Sequence, residues 1–155
     1  MIVPMILATL CVLGCVSTWG LAHDRFPYSL SEVATKGKVW KYLLASVLFL
    51  FSGGIWVACI DRIPDNWQWL LFLTSVGLIF VAVSPITNSS ALKVHYTAAI
   101  ITCVAITLLV YLMKPVLLLL WAIYVGYTLF TDGKYKKLIA ESVCALQLVL
   151  MILFL

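Results

Sequence analysis

Six apolar runs divide the chain, and short polar segments separate them. A helix of about 20 apolar residues crosses roughly 30 Å of hydrocarbon, and each run is long enough to do so, although the fifth is near the lower limit. None alternates with the period of two that a membrane barrel needs, and unpaired backbone groups in lipid are costly, so we expect helices. The sequence therefore predicts an all-α fold, a polytopic transmembrane bundle of six helices in one domain (1–155), with spans at 2–22, 40–60, 67–84, 94–113, 115–131 and 137–155.

Composition agrees with this pattern. Hydrophobic residues make up 65% of the 155 positions and charged residues 10%, against roughly 25% charged in soluble domains. Six spans use nearly the whole chain, which excludes an additional soluble catalytic domain. The first run lacks a basic leader and a small-residue cleavage site, so we expect a retained span rather than a removed signal peptide.

The connection between the fourth and fifth runs is only Lys114 and Pro115. This favours a tight hairpin with the proline in the first turn of the new helix. The alternative is one long kinked helix, which would place Lys114 deep in lipid.

The basic residues are distributed unevenly between the two faces. The loops after spans one, three and five hold eight, and the remaining loops hold Arg62 and Lys114. The positive-inside rule then places the odd-numbered loops in the cytoplasm, and we place the protein in the plasma (inner) membrane. No basic cluster with interleaved aromatic residues occurs, so we expect no nucleic-acid partner.

The first loop, FPYSLSEVA, contains the start signal of a helix. Ser29 and Glu32 fit the S-x-x-E capping box, in which the serine caps the amide of Glu32 while the glutamate reaches back to the amide of Ser29. Pro27 ends the preceding extended segment. The purely structural interpretation is a helix that begins at the membrane surface. The functional one is that Ser31 or Glu32 faces a polar pocket between spans.

Two further polar residues lie near the starts of spans. His95 begins a stripe of small residues in the fourth span, which is typical of close helix packing around one hydrogen-bonded imidazole. Glu141 lies one turn into the sixth span, four residues after Lys137, with which it could form an ion pair. Polar groups at membrane depth are costly and so also suggest a site. Both residues adjoin odd-numbered loops, so the candidate polar site is Ser31, Glu32, His95 and Glu141.

Several classes of chemistry lack their residues here. The chain has two histidines, too few for an intramembrane zinc hydrolase, and its five cysteines show no CxxC spacing. It has no GxSxG, no P-loop and no Gly-rich dinucleotide turn. We therefore assign no catalytic residue, no metal ligand and no cofactor.

The first loop and the start of the fourth span, Val94-His95-Tyr96-Thr97-Ala98-Ala99, together resemble the damage-regulated autophagy modulator superfamily, which includes bacterial six-span proteins of unknown function. The resemblance selects Pro27, Ser31, Glu32 and His95. Here one extra residue separates the aromatic from the serine. Family members generally place the first loop outside the cytoplasm, opposite to what the lysine count predicts.

Three functions remain open at this point. The leading hypothesis is a non-enzymatic membrane protein that contacts lipid head groups, a second copy of itself or another membrane protein through the odd-loop face. The second is a small carrier or channel with Glu141 and His95 along a polar path. The third is a lipid-modifying enzyme in which His95 is the base and Glu32 or Asp24 orients it, which requires a carboxylate within hydrogen-bond reach of His95.

Overall fold

A computed structural model describes residues 13, 14, 16, 17, 19, 20, 23–35, 37–84 and 89–154 of the chain. Over these ranges the protein is helical and contains no strand, which confirms the all-α prediction. Two 3₁₀ helices, Asp65–Trp67 and Pro115–Leu120, accompany the α-helices. The α-helices are α1 Leu30–Ala34, α2 Lys38–Cys59, α3 Trp69–Val83, α4 Ser89–Met113, α5 Trp121–Phe130 and α6 Lys136–Leu153.

Three helical stretches are long and apolar enough to cross a membrane: Lys38–Cys59, Asp65–Val83 and Leu92–Met113. They correspond to the predicted second, third and fourth spans. Their outward faces carry large apolar side chains, among them Phe72 and Ile100, which are 59% and 65% exposed. Apolar surface of this extent is what a lipid-facing helix presents.

The other three predicted spans differ in what the structure describes of them. Residues 13, 14, 16, 17, 19 and 20 of the first are helical, and its remaining positions lie outside the described residues. The fifth is a shorter apolar helix, Pro115–Phe130, whose first part is 3₁₀. The sixth corresponds to α6, which begins with two lysines.

Lys114 separates the fourth and fifth elements. Its backbone has φ −147° and ψ 70°, outside the helical region, and Pro115 then opens the 3₁₀ helix. The residue before a proline is disfavoured in the helical conformation, since the proline ring clashes with it. The alternative of one long kinked helix is therefore wrong.

The helices share one apolar core. α2 packs on α3, α3 on α4, and α6 on α2, α4 and α5. The fully buried side chains at its centre come from four helices and include Ile55, Leu70, Leu109 and Met151. The core thus holds the amino-terminal ends of α2, α4 and α6 in fixed relative positions. His95 and Glu141 lie near the starts of α4 and α6, and Ser31 and Glu32 lie on α1, just before α2.

Candidate functional site

Ser29 caps the short helix α1. Its backbone is extended (φ −157°, ψ 159°), and its Oγ accepts a hydrogen bond of 3.3 Å from the amide of Glu32. Glu32 reaches back as a capping-box acid does, but its Oε2 accepts from the amide of Tyr28 at 2.7 Å rather than from that of Ser29. Pro27, just before this turn, is fully buried. The bond predicted for Ser29 is therefore confirmed, and the contact predicted for Glu32 is shifted by one residue, from Ser29 to Tyr28.

Arg25 neutralises the other oxygen of Glu32. Its Nη2 lies 2.7 Å from Glu32 Oε1, and its guanidinium carbon lies 4.6 Å and 4.4 Å from the ring centroids of Trp19 and Tyr28. The hydrogen bond to Glu32 raises the pKa of Arg25 above its usual value. Stacking on two aromatic rings suits the planar guanidinium and fixes it against the loop.

Glu141 fastens α6 to the start of α1. Its Oε2 accepts a 2.6 Å hydrogen bond from the amide of Leu30, one of the first-turn amides that have no partner inside the helix. The predicted ion pair with Lys137 does not form. Lys137 Nζ donates instead to the hydroxyl of Tyr96 at 3.3 Å and lies 4.4 Å from the centre of that ring. Glu141 points inward because the Leu30 amide needs an acceptor there.

A polar cavity of about 460 Å³ lies on one side of α1. We call it the lysine cavity, since three of the residues around it are lysines that precede or begin α6. Its volume falls within the roughly 300–1,000 Å³ typical of small-molecule sites. The carboxylate in its wall, Glu32, is paired with Arg25, so the surplus charge is positive. Its lining consists of Tyr28, Ser29, Ser31, Glu32, Thr35, Tyr96, Lys134, Lys136 and Lys137.

A second cavity of about 360 Å³ lies on the other side of α1, between it and α2, α3 and α4. We call it the histidine groove. Ser31 and Thr35 line both cavities, so α1 is the wall between them. The groove combines basic, small polar and apolar residues: Ser31, Ala34, Thr35, Gly37, Lys38, Lys41, Leu44, Ala45, Leu48, Val81, Ala82, Ser84 and His95.

His95 is buried at the side of this groove, with 4% of its surface exposed. Val81, near the end of α3, lies beside it in the lining of the groove. Among the residues that the structure describes, none is a hydrogen-bond partner of its Nδ1. A carboxylate partner for His95, which the enzyme hypothesis requires, is missing from the described part of the chain.

The four predicted site residues thus lie around α1 but not around one cavity. Ser31 and Glu32 line the lysine cavity, Ser31 and His95 line the groove, and Glu141 binds the α1 backbone. Sequence reasoning missed the lysines of both cavities. Their signal was present in the excess of basic residues on the odd-numbered loops, which was interpreted only as a topology signal.

Comparison with known proteins adds no assignment. No family model matches the chain, and no curated protein or solved structure matches it. Over the ranges that the structure describes, no group of three or more His, Cys, Asp and Glu side chains is placed to hold a metal ion. Any functional conclusion therefore depends on the two cavities.

Proposed function

We propose that the protein is a six-span integral membrane protein whose lysine cavity binds the phosphate-bearing headgroup of an anionic lipid. The observation that carries this proposal is the charge of the cavity. Lys134, Lys136 and Lys137 surround it, while its carboxylate, Glu32, is occupied by Arg25. Lysine is a common phosphate ligand, and hydroxyl groups such as that of Tyr96 supply further hydrogen bonds.

The position of the cavity fits a lipid headgroup. It adjoins the start of α6 and lies at the end of the bundle where α2 and α4 also begin. Helix ends in a membrane protein lie at the level of the headgroups, about 15 Å from the bilayer centre. Each lysine near an anionic membrane surface contributes about 1 kcal/mol of attraction.

Element lengths support two spans beyond the three apolar ones. Pro115–Phe130 has six 3₁₀ and ten α-helical residues, which at about 2.0 and 1.5 Å each span about 27 Å. The 18 residues of α6 also span about 27 Å. Both are close to the hydrocarbon thickness of roughly 30 Å. The first predicted span completes the proposed set of six. Membership of the autophagy-modulator superfamily stays a prediction.

Of the other two hypotheses, the enzyme loses its support because His95 lacks a carboxylate partner. The carrier requires Glu141 and His95 along one path, but Glu141 binds the Leu30 amide and His95 lines the groove on the far side of α1. The positive charge of the lysine cavity therefore favours the binding of an anionic headgroup over the other two functions.

Lipid retention measured by native mass spectrometry tests the proposal. The protein, in neutral detergent, is titrated with phosphatidic acid or phosphatidylcholine, and the bound fraction is compared with that of a variant carrying Lys134→Ala, Lys136→Ala and Lys137→Ala. We expect phosphatidic acid to bind at least tenfold more tightly than phosphatidylcholine and the triple variant to lose this preference. A matched control removes three basic residues outside both cavities: Arg62→Ala, Lys93→Ala and Lys114→Ala.

Equal loss in the control variant would show that only net charge matters and would refute the cavity. A further titration with inorganic phosphate distinguishes a lipid headgroup from free phosphate as the ligand of the cavity. Displacement of phosphatidic acid by millimolar phosphate would assign the cavity to the free anion instead of a lipid.

A further inference from the structure

The histidine groove changes character along its length. Lys38 and Lys41, both exposed, stand where α2 begins, while the opposite end is formed by Leu48. Ten residues separate Lys38 from Leu48, which at 1.5 Å each is about 15 Å along the helix. The apolar side chains Val81 and Ala82 of α3 face the same space. The groove is thus basic at its membrane-surface end and apolar toward the interior of the bundle.

Two buried polar side chains interrupt the wall of the groove. His95 is 4% and Ser31 5% exposed. In the neutral tautomer that carries its proton on Nε2, Nδ1 has a lone pair that accepts a hydrogen bond. The described residues offer Nδ1 no hydrogen-bond partner. A buried acceptor without a donor is costly, so a ligand hydroxyl that donates to Nδ1 would gain more than the same bond does at a surface.

We propose that the histidine groove binds a single-chain lysophospholipid whose anionic phosphate lies at Lys38 and Lys41, whose free hydroxyl donates to His95 Nδ1, and whose acyl chain runs toward Leu48. The order of chemistry along the groove carries the assignment. A phosphate, then a hydroxyl, then one apolar chain is the order of groups in a lysophospholipid. A cavity of about 360 Å³ suits one chain of this kind. This site lies across α1 from the lysine cavity and does not depend on it.

Three ligands that each differ in one group test the order. Lysophosphatidic acid, its analogue without the free hydroxyl, and monopalmitoylglycerol, which lacks the phosphate, are titrated into the protein in neutral detergent and counted by native mass spectrometry. We expect the hydroxyl to contribute five- to tenfold in affinity and the phosphate at least tenfold. Palmitate is a fourth arm. Binding of palmitate as tight as that of lysophosphatidic acid would overturn the proposal, because a carboxylate would then be sufficient.

Substitutions in the groove test where the hydroxyl, the acyl chain and the phosphate of the ligand bind. His95→Phe keeps a ring but removes the acceptor, so it should abolish the preference for the hydroxyl-bearing ligand over its analogue. Leu48→Trp fills the apolar end and should weaken lysophosphatidic acid at least tenfold. The matched change Leu50→Trp, on the same helix but 48% exposed, should leave the affinity within twofold. Lys38→Ala with Lys41→Ala should abolish the phosphate preference, and Lys93→Ala should not.

Two results would refute the groove. One is a hydroxyl preference that persists in His95→Phe. The other is an equal effect of Leu48→Trp and Leu50→Trp. The variant that lacks the lysines of the lysine cavity separates the two sites. If it abolishes lysophosphatidic acid binding while the groove variants do not, the ligand lies in the lysine cavity, and this inference fails while the proposed function stands.

Discussion

Replacing Gly77 with alanine should force α3 and α4 apart. A methyl group added at Gly77 would overlap Thr102 Oγ1 and come within 3.2 Å of Thr102 Cβ. Thr102 is buried, and its Oγ1 is held by a 2.7 Å hydrogen bond to the carbonyl of Ala98. The side chain therefore has little freedom to turn away. The close contact between Gly77 and Thr102 also sets the antiparallel register of α3 and α4. In this register Val81, four residues after Gly77, lies beside His95, seven residues before Thr102.

The size of the effect follows from a comparison with a glycine that has room. A methyl group at Gly53, in the middle of α2, meets nothing within 4 Å. Exchange of a mid-helix glycine for alanine gains about 0.5–1 kcal/mol from the backbone, and this gain is common to both sites. Overpacking typically costs about 1–3 kcal/mol. Gly77→Ala should therefore be about 1–3 kcal/mol less stable than Gly53→Ala.

Equilibrium unfolding by SDS in mixed micelles measures this difference. Thr102→Ala removes the overlapping hydroxyl, so the double variant should recover at least about 1 kcal/mol of coupling free energy. Thr107→Ala is the matched control, since Thr107 makes the same bond to a carbonyl one turn earlier, at 2.8 Å to Cys103, but is remote from Gly77. Equal stabilities of Gly77→Ala and Gly53→Ala, or purely additive effects with Thr102→Ala, would refute the close contact.

Three further predictions test the packing around the candidate site. Glu141→Ala leaves the Leu30 amide without its acceptor and should cost about 1–3 kcal/mol and speed amide exchange at Leu30, whereas Glu141→Gln keeps an acceptor and should restore protection. The Cys103 and Cys144 thiols, on α4 and α6, are free and lie next to each other, so mild oxidation should close an intramolecular disulfide, seen as the loss of two hydrogens by mass spectrometry; labelling of both thiols after oxidation would contradict this packing. Ser52 and Ser75 each donate to the other's carbonyl, at 3.2 and 3.1 Å, so each alanine substitution should cost about 0.6 kcal/mol in SDS unfolding, with no cost for the exposed Ser46→Ala.

The sequence predicted the features that depend on interactions between residues close together in the chain. The S-x-x-E pattern placed the start of α1 and its cap, because the atoms involved lie within one turn of Ser29. Lys114 followed by Pro115 marked the break between α4 and the next helix for the same reason. Apolar length alone identified the three stretches that are able to cross a membrane.

Partners that are distant in sequence could not be read from the pattern. Glu141 has Lys137 four residues before it, yet it binds the Leu30 amide, 111 positions away. Helical spacing indicates which side chains are able to pair, but the tertiary fold determines which amide lacks an acceptor. His95 likewise lies beside Val81 of α3, 14 positions earlier in the chain, and no spacing in the sequence indicates this contact.

The wall between the two cavities depends on these distant contacts. A helix of five residues is far below the roughly 12–15 needed for marginal stability in isolation, so α1 exists because its surroundings hold it. Glu141 binds its first amide, Leu138 donates to Tyr28 just before it at 3.1 Å, and Arg25 holds Glu32. Ser31 in this helix and Thr35, which caps its carboxyl end, line both cavities. The lysine cavity and the histidine groove therefore differ in chemistry, but both depend on the position of α1. A perturbation at Glu141 should reach both, and a change in a residue that lines only one of them should remain local.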